Sequence, residues 1–328
     1  GHTVTMQAVR VKEFGGPEVL VLESVPDLQP GPGEILVRIA AAGVNPVETY
    51  IRSGAYAALP PLPYTPGTDG AGRIEAFGDG VTGWSRGDRV YLSGSLTGTY
   101  AEFALCLPEQ LHPLPRGVSF AEGAALGVPY ATALRALDLA GAQAGETVLV
   151  QGGSGGVGLA AIQIARARGM RVIATAGSEA GRALVSGAGA QAVLDHADPE
   201  RGVALQAATA GRGPEVILEM RADRNLAWDL GAAAVGGRIV VIGSRGPVEI
   251  NPRDAMRRDL VVRGMLLFNA SAGELRDLYE RIDTMLDAGS IRPVIRERVP
   301  LAEAARAHGA VLEPGAGGKL VLVAGDEP

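Results

Sequence analysis

Thr147-Val148-Leu149-Val150-Gln151-Gly152-Gly153-Ser154-Gly155-Gly156-Val157-Gly158 is the stretch whose reading decides the fold. Residues 147–151 are mostly apolar and β-branched, as a buried strand requires. Beyond them Val157, Ala160, Ala161, Ile164 and Ala165 recur at helical spacing, and Gly169 supplies a stop. Gly153, Gly155 and Gly158 match G-x-G-x-x-G. In a chain with 47 glycines that pattern alone is weak, but here it lies between a strand and a helix. The glycines then permit a tight turn, close main-chain approach to a pyrophosphate and close helix–strand packing, while the helix N-terminus faces the negative charge. The reading is dinucleotide binding, with Ser154, Gly155, Gly156 and Val157 meeting the pyrophosphate through main-chain N–H groups after Gly153.

Downstream, strand candidates at 171–175, 192–194, 215–219, 238–242 and 260–266 alternate with helical segments such as 178–186 and 226–234. That alternation predicts a doubly wound parallel sheet with the cofactor beyond the strands' carboxyl ends. Upstream, short strands at 7–11, 19–23, 34–42, 70–77, 89–92 and 101–105 are punctuated by turns such as Pro30-Gly31-Pro32-Gly33 and Gly78-Asp79-Gly80. Such density predicts a small barrel or sandwich. Ser119 and Glu122 form a capping box opening a helical stretch, 120–139, that Pro129 is expected to interrupt. The tail carries a helix near 273–288, an extended piece and helix around 295–312, and a strand at 319–323, which we assign to the first domain. The expected division is 1–125 with 270–328, and 126–269. The fold class is α/β.

The 328 residues, 47% hydrophobic, supply core for both domains. A net charge of −6 disfavours general nucleic-acid or anionic-membrane binding. No apolar run approaches the ~20 residues that span a bilayer, and no signal peptide is evident. Gly1-His2 reads as a tag scar ahead of Met6. The lone Cys106 excludes an intrachain disulfide and a multi-thiolate zinc site, and sits in an apolar strand as a core residue. A cytoplasmic protein is expected.

An unphosphorylated adenosine ribose is usually held by an acid ending the second strand, ~20 residues past the glycines. Here that strand ends Ala174-Thr175-Ala176-Gly177-Ser178, without one. Ser178 and Arg182 offer a hydroxyl and a cation to a 2′-phosphate, so NADPH is the expected cofactor. In the alternative, Ser178 caps a helix and Arg182 is a solvated charge.

With Asn45-Pro46-Val47-Glu48-Thr49-Tyr50, Pro63-Tyr64-Thr65-Pro66-Gly67-Thr68-Asp69, Gly243-Ser244-Arg245-Gly246 and Ile250-Asn251-Pro252-Arg253, the chain resembles the medium-chain dehydrogenase/reductase superfamily. Within it, the likeness is to zinc-independent quinone oxidoreductases of the zeta-crystallin type, and runs over nearly the whole chain. It implies a GroES-like β-barrel catalytic domain closed by the tail, a Rossmann nucleotide-binding domain, and an active cleft at their junction. Zinc alcohol dehydrogenases of the superfamily carry a ligand cysteine near Asn45 and Gly-His-Glu where this chain has Gly67-Thr68-Asp69. An amide and a hydroxyl replace thiolate and imidazole poorly, and His2, His112, His196 and His308 lack ligand spacing, so no metal is expected. Without a Lewis acid the acceptor must already be electrophilic, a quinone or an enone.

By the same resemblance, Tyr50 lies beside the nicotinamide, donating to a developing oxyanion or stacking; otherwise it is a packing tyrosine. Asn45 bonds substrate or cofactor amide, or is a turn residue before Pro46. Glu48 is left out of the chemistry. Gly177, Ser178, Arg182 and His196 surround the adenosine phosphate, and Asn225, Ile242, Gly243, Ser244, Arg245, Leu267, Phe268 and Asn269 touch ribose and nicotinamide, mostly through backbone. Arg221 and Arg263 depart from the family pattern. The expected activity is NADPH-dependent quinone reduction; the alternatives are reduction of enal or enone C=C bonds and a non-catalytic nucleotide- or RNA-binding structural role. A homodimer or homotetramer is implied.

Overall fold

The computed structural model describes residues 4–313 and 317–325. Of these, residues 4–128, 293–313 and 319–325 form one compact unit, and 129–292 with 317–318 a second. His2 lies outside the described residues.

In the first unit β1 (Thr5–Arg10) and β2 (Val21–Pro26) form an antiparallel pair with Thr5 opposite Pro26. β3 (Ile35–Gly43) is buried along nearly its whole length because it is flanked on both sides. α1 (Pro46–Ser53) follows, started by Asn45 and Pro46 and stopped by Gly54, whose φ of 84° suits the left-handed cap. Its buried residues are Glu48, Thr49 and Arg52, a polar face turned inward. Then come β4 (Asp69–Phe77), β5 (Arg89–Ser93), β6 (Phe103–Cys106), β7 (Leu111–Pro113) and the short α2 (Phe120–Gly123). Ser119 Oγ accepts from Glu122 N at 3.1 Å, as the capping box predicts. The break in the helical stretch falls at residues 124–126, upstream of Pro129, because proline in the first turn of α3 (Gly127–Leu139) forfeits no helical bond.

The second unit is the predicted alternation. β8 (Thr147–Gln151), α4 (Gly156–Ala167), β9 (Arg171–Ala176), α5 (Glu179–Ala188), β10 (Ala192–Asp195), α6 (Arg201–Ala208), β11 (Val216–Glu219), α7 (Ala222–Ala232), β12 (Arg238–Val241), α8 (Pro252–Met256) and β13 (Val261–Gly264) give a parallel sheet of order β10-β9-β8-β11-β12-β13. β8 and β11 are neighbours at the switch point, and the core of Leu149, Ile173, Ile217, Leu230 and Ile239 lies on one face. α9 (Ala272–Asp287), capped by Ser271, also belongs to this unit, so the second boundary lies at 292/293 rather than 269/270. The helix buries Leu278, Tyr279, Ile282 and Leu286, and Arg135–Glu274 (2.7 Å) and Arg281–Asp138 (2.5 Å) tie it to α3.

The chain then returns to the first unit as β14 (Ile295–Pro300), α10 (Ala304–Val311) and β15 (Lys319–Val323). β15 pairs with β14 and, antiparallel, with β3, completing the order β14-β15-β3-β4-β5-β7 with β6 on β3. Val9, Val44, Tyr100, Val299, Ala307 and Leu322 share one core there.

Candidate active site

The phosphate-loop sequence adopts the conformation its glycines permit. Gly155 is the extended N-cap of α4 with no side-chain cap, so the first-turn N–H groups lack intrahelical acceptors. A Cβ on Gly155 would meet open space, whereas one on Gly158 would stand 2.4 Å from the Gly152 carbonyl oxygen. The first leaves room for phosphate oxygens; the second explains why only glycine lets helix and turn approach. Gly153 N donates to Thr175 O (2.8 Å) and Gly318 N to Ser154 O (2.9 Å), holding the loop. This cradle fits a dinucleotide pyrophosphate.

At the end of β9, Ser178 Oγ accepts from Gly181 N (2.9 Å), capping α5. Arg182 pairs with Asp195 at 3.4 Å, a partner the sequence reading missed. His196 Nε2 lies 3.3 Å from Thr175 Oγ1 and its ring borders Gly177. Burial, with Arg201 nearby, lowers its pKa, so the ring is neutral at pH 7. These predicted residues therefore share one neighbourhood. Asn225 Nδ2 donates to Glu219 Oε2 (3.0 Å), so its amide braces the tip of β11. Arg221, the unexplained departure, forks onto Asp223 (3.1 and 3.0 Å), whose Oδ1 accepts Arg245 N (3.0 Å) and orders the loop at 242–245. Leu267–Asn269 form a 3-10 turn with Leu267 buried and Phe268 exposed.

Under these strand ends lies a polar row that spacing did not reveal. Thr175 Oγ1 donates to Gln151 Oε1 (3.0 Å), and Gln151 Nε2 to Asp229 Oδ1 (2.9 Å). Glu219 and Asp229 are fully buried, and desolvation with the adjoining Glu219 raises the Asp229 pKa to about 10, so Asp229 keeps its proton at neutral pH.

In the first unit the predicted Asn45 is buried with its amide fully engaged. Nδ2 donates to Asp69 Oδ2 (3.0 Å) and Glu48 Oε2 (3.3 Å), and Oδ1 accepts a short hydrogen bond from Lys319 Nζ. Asp69 also accepts from Val128 N (3.0 Å). Glu48 Oε1 accepts from Tyr100 OH (2.6 Å) and Asn45 N (3.1 Å), and the phenol touches His308 Nε2 at 3.0 Å. Desolvation raises Glu48 to about 7, opposed by the Tyr100 bond, and pushes His308 down to about 3. It also raises Asp69 and lowers Lys319, each offset by the other's charge. Glu48, Ile51, Leu59, Pro60, Tyr64 and Thr68 line a cavity of about 370 Å³. Tyr50 is half-buried on α1 and does not line it, since residues two apart point to different sides of a helix.

Sequence reading missed Lys319, Tyr100 and His308, and set Glu48 aside. The one signal was composition: lysine occurs only at positions 12 and 319. Among the described residues no three His, Cys, Asp or Glu side chains form a metal-holding group. His112 bonds Ser93 Oγ (2.7 Å), and Cys106 is buried with its thiol pKa pushed up by desolvation. No described helix is long and apolar enough to cross a membrane.

Two family profiles match the chain: Zinc-binding dehydrogenase over residues 156–284 and Alcohol dehydrogenase GroES-like domain over 31–116. The quinone oxidoreductase of Rattus norvegicus is 47% identical over 323 residues, 97% of this chain and 98% of that protein. The crystal structure of an NAD-dependent alcohol dehydrogenase superposes with TM-score 0.91 at 31% identity, covering 98% of this chain and 100% of that one. A mycobacterial protein solved in complex with NADPH gives 0.87 at 32% identity over 97% and 100% of the two chains.

Proposed function

This chain belongs to the quinone oxidoreductases of the medium-chain dehydrogenase/reductase superfamily, and from that membership we propose that it reduces quinones with NADPH and without a metal ion. One observation carries the metal-free reading. Asn45, near the place of the ligand cysteine in zinc relatives, gives its oxygen to the Lys319 ammonium and its nitrogen to two carboxylates. A buried cation already occupies the amide oxygen and neutralises the site, and a neutral amide beside an ammonium is a poor metal ligand. Interconversion of alcohols and carbonyls needs a Lewis acid to form an alkoxide, so the acceptor must be one that spreads incoming charge itself.

When bound, the reduced nicotinamide supplies the reducing equivalents. The phosphate loop from Gly153 to Val157 binds the pyrophosphate through N–H groups, Ser178 and Arg182 receive the 2′-phosphate, and His196 flanks the adenosine. Arg182 is drawn from Asp195 in doing so, which favours the phosphorylated cofactor because the freed cation gains a doubly charged partner. Tyr50 donates to the developing oxyanion, and Asn45 positions Glu48 rather than substrate. The single buried thiol suits a cytoplasmic enzyme. A homodimer is supported by β13, an edge strand with Val261 and Val262 exposed beside exposed Leu266 and Phe268.

The test is steady-state turnover of a benzoquinone, a polycyclic ortho-quinone and a linear enal with NADPH and NADH. We expect kcat/KM to be highest for a quinone with NADPH, unchanged by a chelator. Faster saturable enal turnover overturns the substrate, and equal efficiency with NADH overturns the cofactor.

A further inference from the structure

We propose that Asp229 is a positioning residue for the nicotinamide cofactor, tying the glycine turn to the loop at 242–245 by donating a hydrogen bond to Glu219. The proposal deepens the cofactor reading above and rests on it. It concerns the second unit alone, where Gln151 ends β8, Thr175 lies near the end of β9 and Glu219 ends β11. A doubly wound sheet binds its ligand beyond these carboxyl ends, so bonds between side chains there hold the floor of the site.

The hydrogen bonds run in one direction. Thr175 Oγ1 donates to Gln151 Oε1 (3.0 Å), and Gln151 Nε2 to Asp229 Oδ1 (2.9 Å). The Thr175 hydrogen is thereby used, so His196 Nε2, 3.3 Å away, is the donor in that pair. Asp229 Oδ2 and Glu219 Oε1 remain. Both are buried, neither has a donor among the described residues, and the two carboxyl groups are in hydrogen-bond contact. A proton on Asp229 Oδ2, donated to Glu219 Oε1, satisfies both atoms at once and leaves the charge on Glu219. There Oε2 accepts from Arg221 N (2.8 Å) and Asn225 Nδ2 (3.0 Å). Bonds chained in this way polarise one another, so the row acts as a unit.

Each end of the row holds a loop. Thr175 Oγ1 accepts from Gly152 N (3.0 Å) and Thr175 O from Gly153 N (2.8 Å), which fixes the glycine turn. The Glu219 carbonyl accepts from Ile242 N (2.9 Å) and Gly243 N (3.2 Å), and Arg221 with Asp223 extends the hold to Arg245 N. The charges that reach Asp229 are Glu219 of β11 and Arg201 of α6. β8 and β9 bring the uncharged Gln151 and Thr175, with neutral His196 beyond them. Burial and Glu219 push Asp229 up to about 10, so the bridge stands at neutral pH. Without the proton two carboxylates face each other in the core, and Glu219 is driven from the strand end it anchors.

The experiment follows NADPH affinity of the full chain by fluorescence as pH rises from neutrality to about 10, beside the carboxyl carbon resonances of aspartate-labelled protein. Wild-type affinity should hold near neutrality and weaken as pH approaches about 10. The Asp229 resonance, identified by its loss in Asp229→Asn, should show no titration step at the ordinary aspartate value of ~4. Asp229→Leu cannot bridge and should weaken NADPH binding ~5–150-fold at neutral pH. Asp229→Asn keeps an acceptor for Gln151 and a donor for Glu219, so it should recover most of that affinity and lose the alkaline decline. Thr175→Val cuts the row at its other end and should weaken binding as well, a second readout should Asp229→Leu fail to fold. Folded Asp229→Leu or Thr175→Val protein with wild-type affinity overturns the link, as does an Asp229 resonance that titrates like an ordinary aspartate. A wild-type protein that keeps the untitrated resonance yet binds neither reduced dinucleotide fails the cofactor reading, and the link falls with it.

Discussion

Lysine stands at only two positions, 12 and 319, in a chain with 30 basic residues, and the second is buried. An arginine fork needs several acceptors and more space, whereas an ammonium is a compact point charge that fits one amide oxygen between two acids. Lys319 with Asn45, Asp69 and Glu48 is therefore one electrostatic unit. Removing its cation leaves Asp69 buried without a counter-charge. Lys319→Met should lose about 3–5 kcal/mol in urea unfolding, and Lys319→Met with Asp69→Asn should recover much of it. A single variant as stable as wild type would show that the cation does not hold the cluster. Asn45 and Glu48 were visible in the sequence as parts of one short motif. Lys319 was not, because 274 residues separate it from the oxygen it donates to.

At the scale of elements, β8, the glycine turn and α4 were legible because burial period and glycine sterics act between near neighbours. α1 was harder: its buried face is Glu48, Thr49 and Arg52, so hydrophobic periodicity misreads it. α7 carries a comparable surprise in Asp229, whose pKa burial raises above its unfolded value. Between those two values the folded chain holds a proton that the unfolded chain has released. Stability is then fully present below about pH 4 and falls as pH rises, by about 1.4 kcal/mol per unit within that window. Asp229→Asn keeps the acceptor for Gln151 Nε2 and removes the titration. Its unfolding free energy should decline less between pH 5 and 8 than that of wild type; parallel slopes in the two proteins would refute the proton held by Asp229.

For the whole molecule, the question is which core each segment joins. α9 was recognisable as a helix, but its allegiance to the nucleotide unit came from Leu278, Ile282 and Leu286 and from ion pairs to α3. The far edge of the same sheet bears on assembly. Among the described residues β13 pairs only with β12, and Val261 and Val262 are 54% and 42% exposed. We expect a dimer by sedimentation equilibrium, with a second copy of β13 extending the sheet. Val262→Lys should shift the mass to that of the monomer; a variant that stays dimeric would move the interface elsewhere.

The sequence by itself determined the alternation of strand and helix and the glycine cradle. Those properties depend on residue types at short spacing, where backbone sterics and donor chemistry act. The tertiary structure alone decided that Lys319, Asp69, Tyr100 and His308 surround Glu48, that Asp195 holds Arg182, and that α9 packs with the nucleotide unit. The proton affinity of a buried carboxyl is set by the water it loses and the charges it gains, and both are supplied by chain segments far apart in sequence.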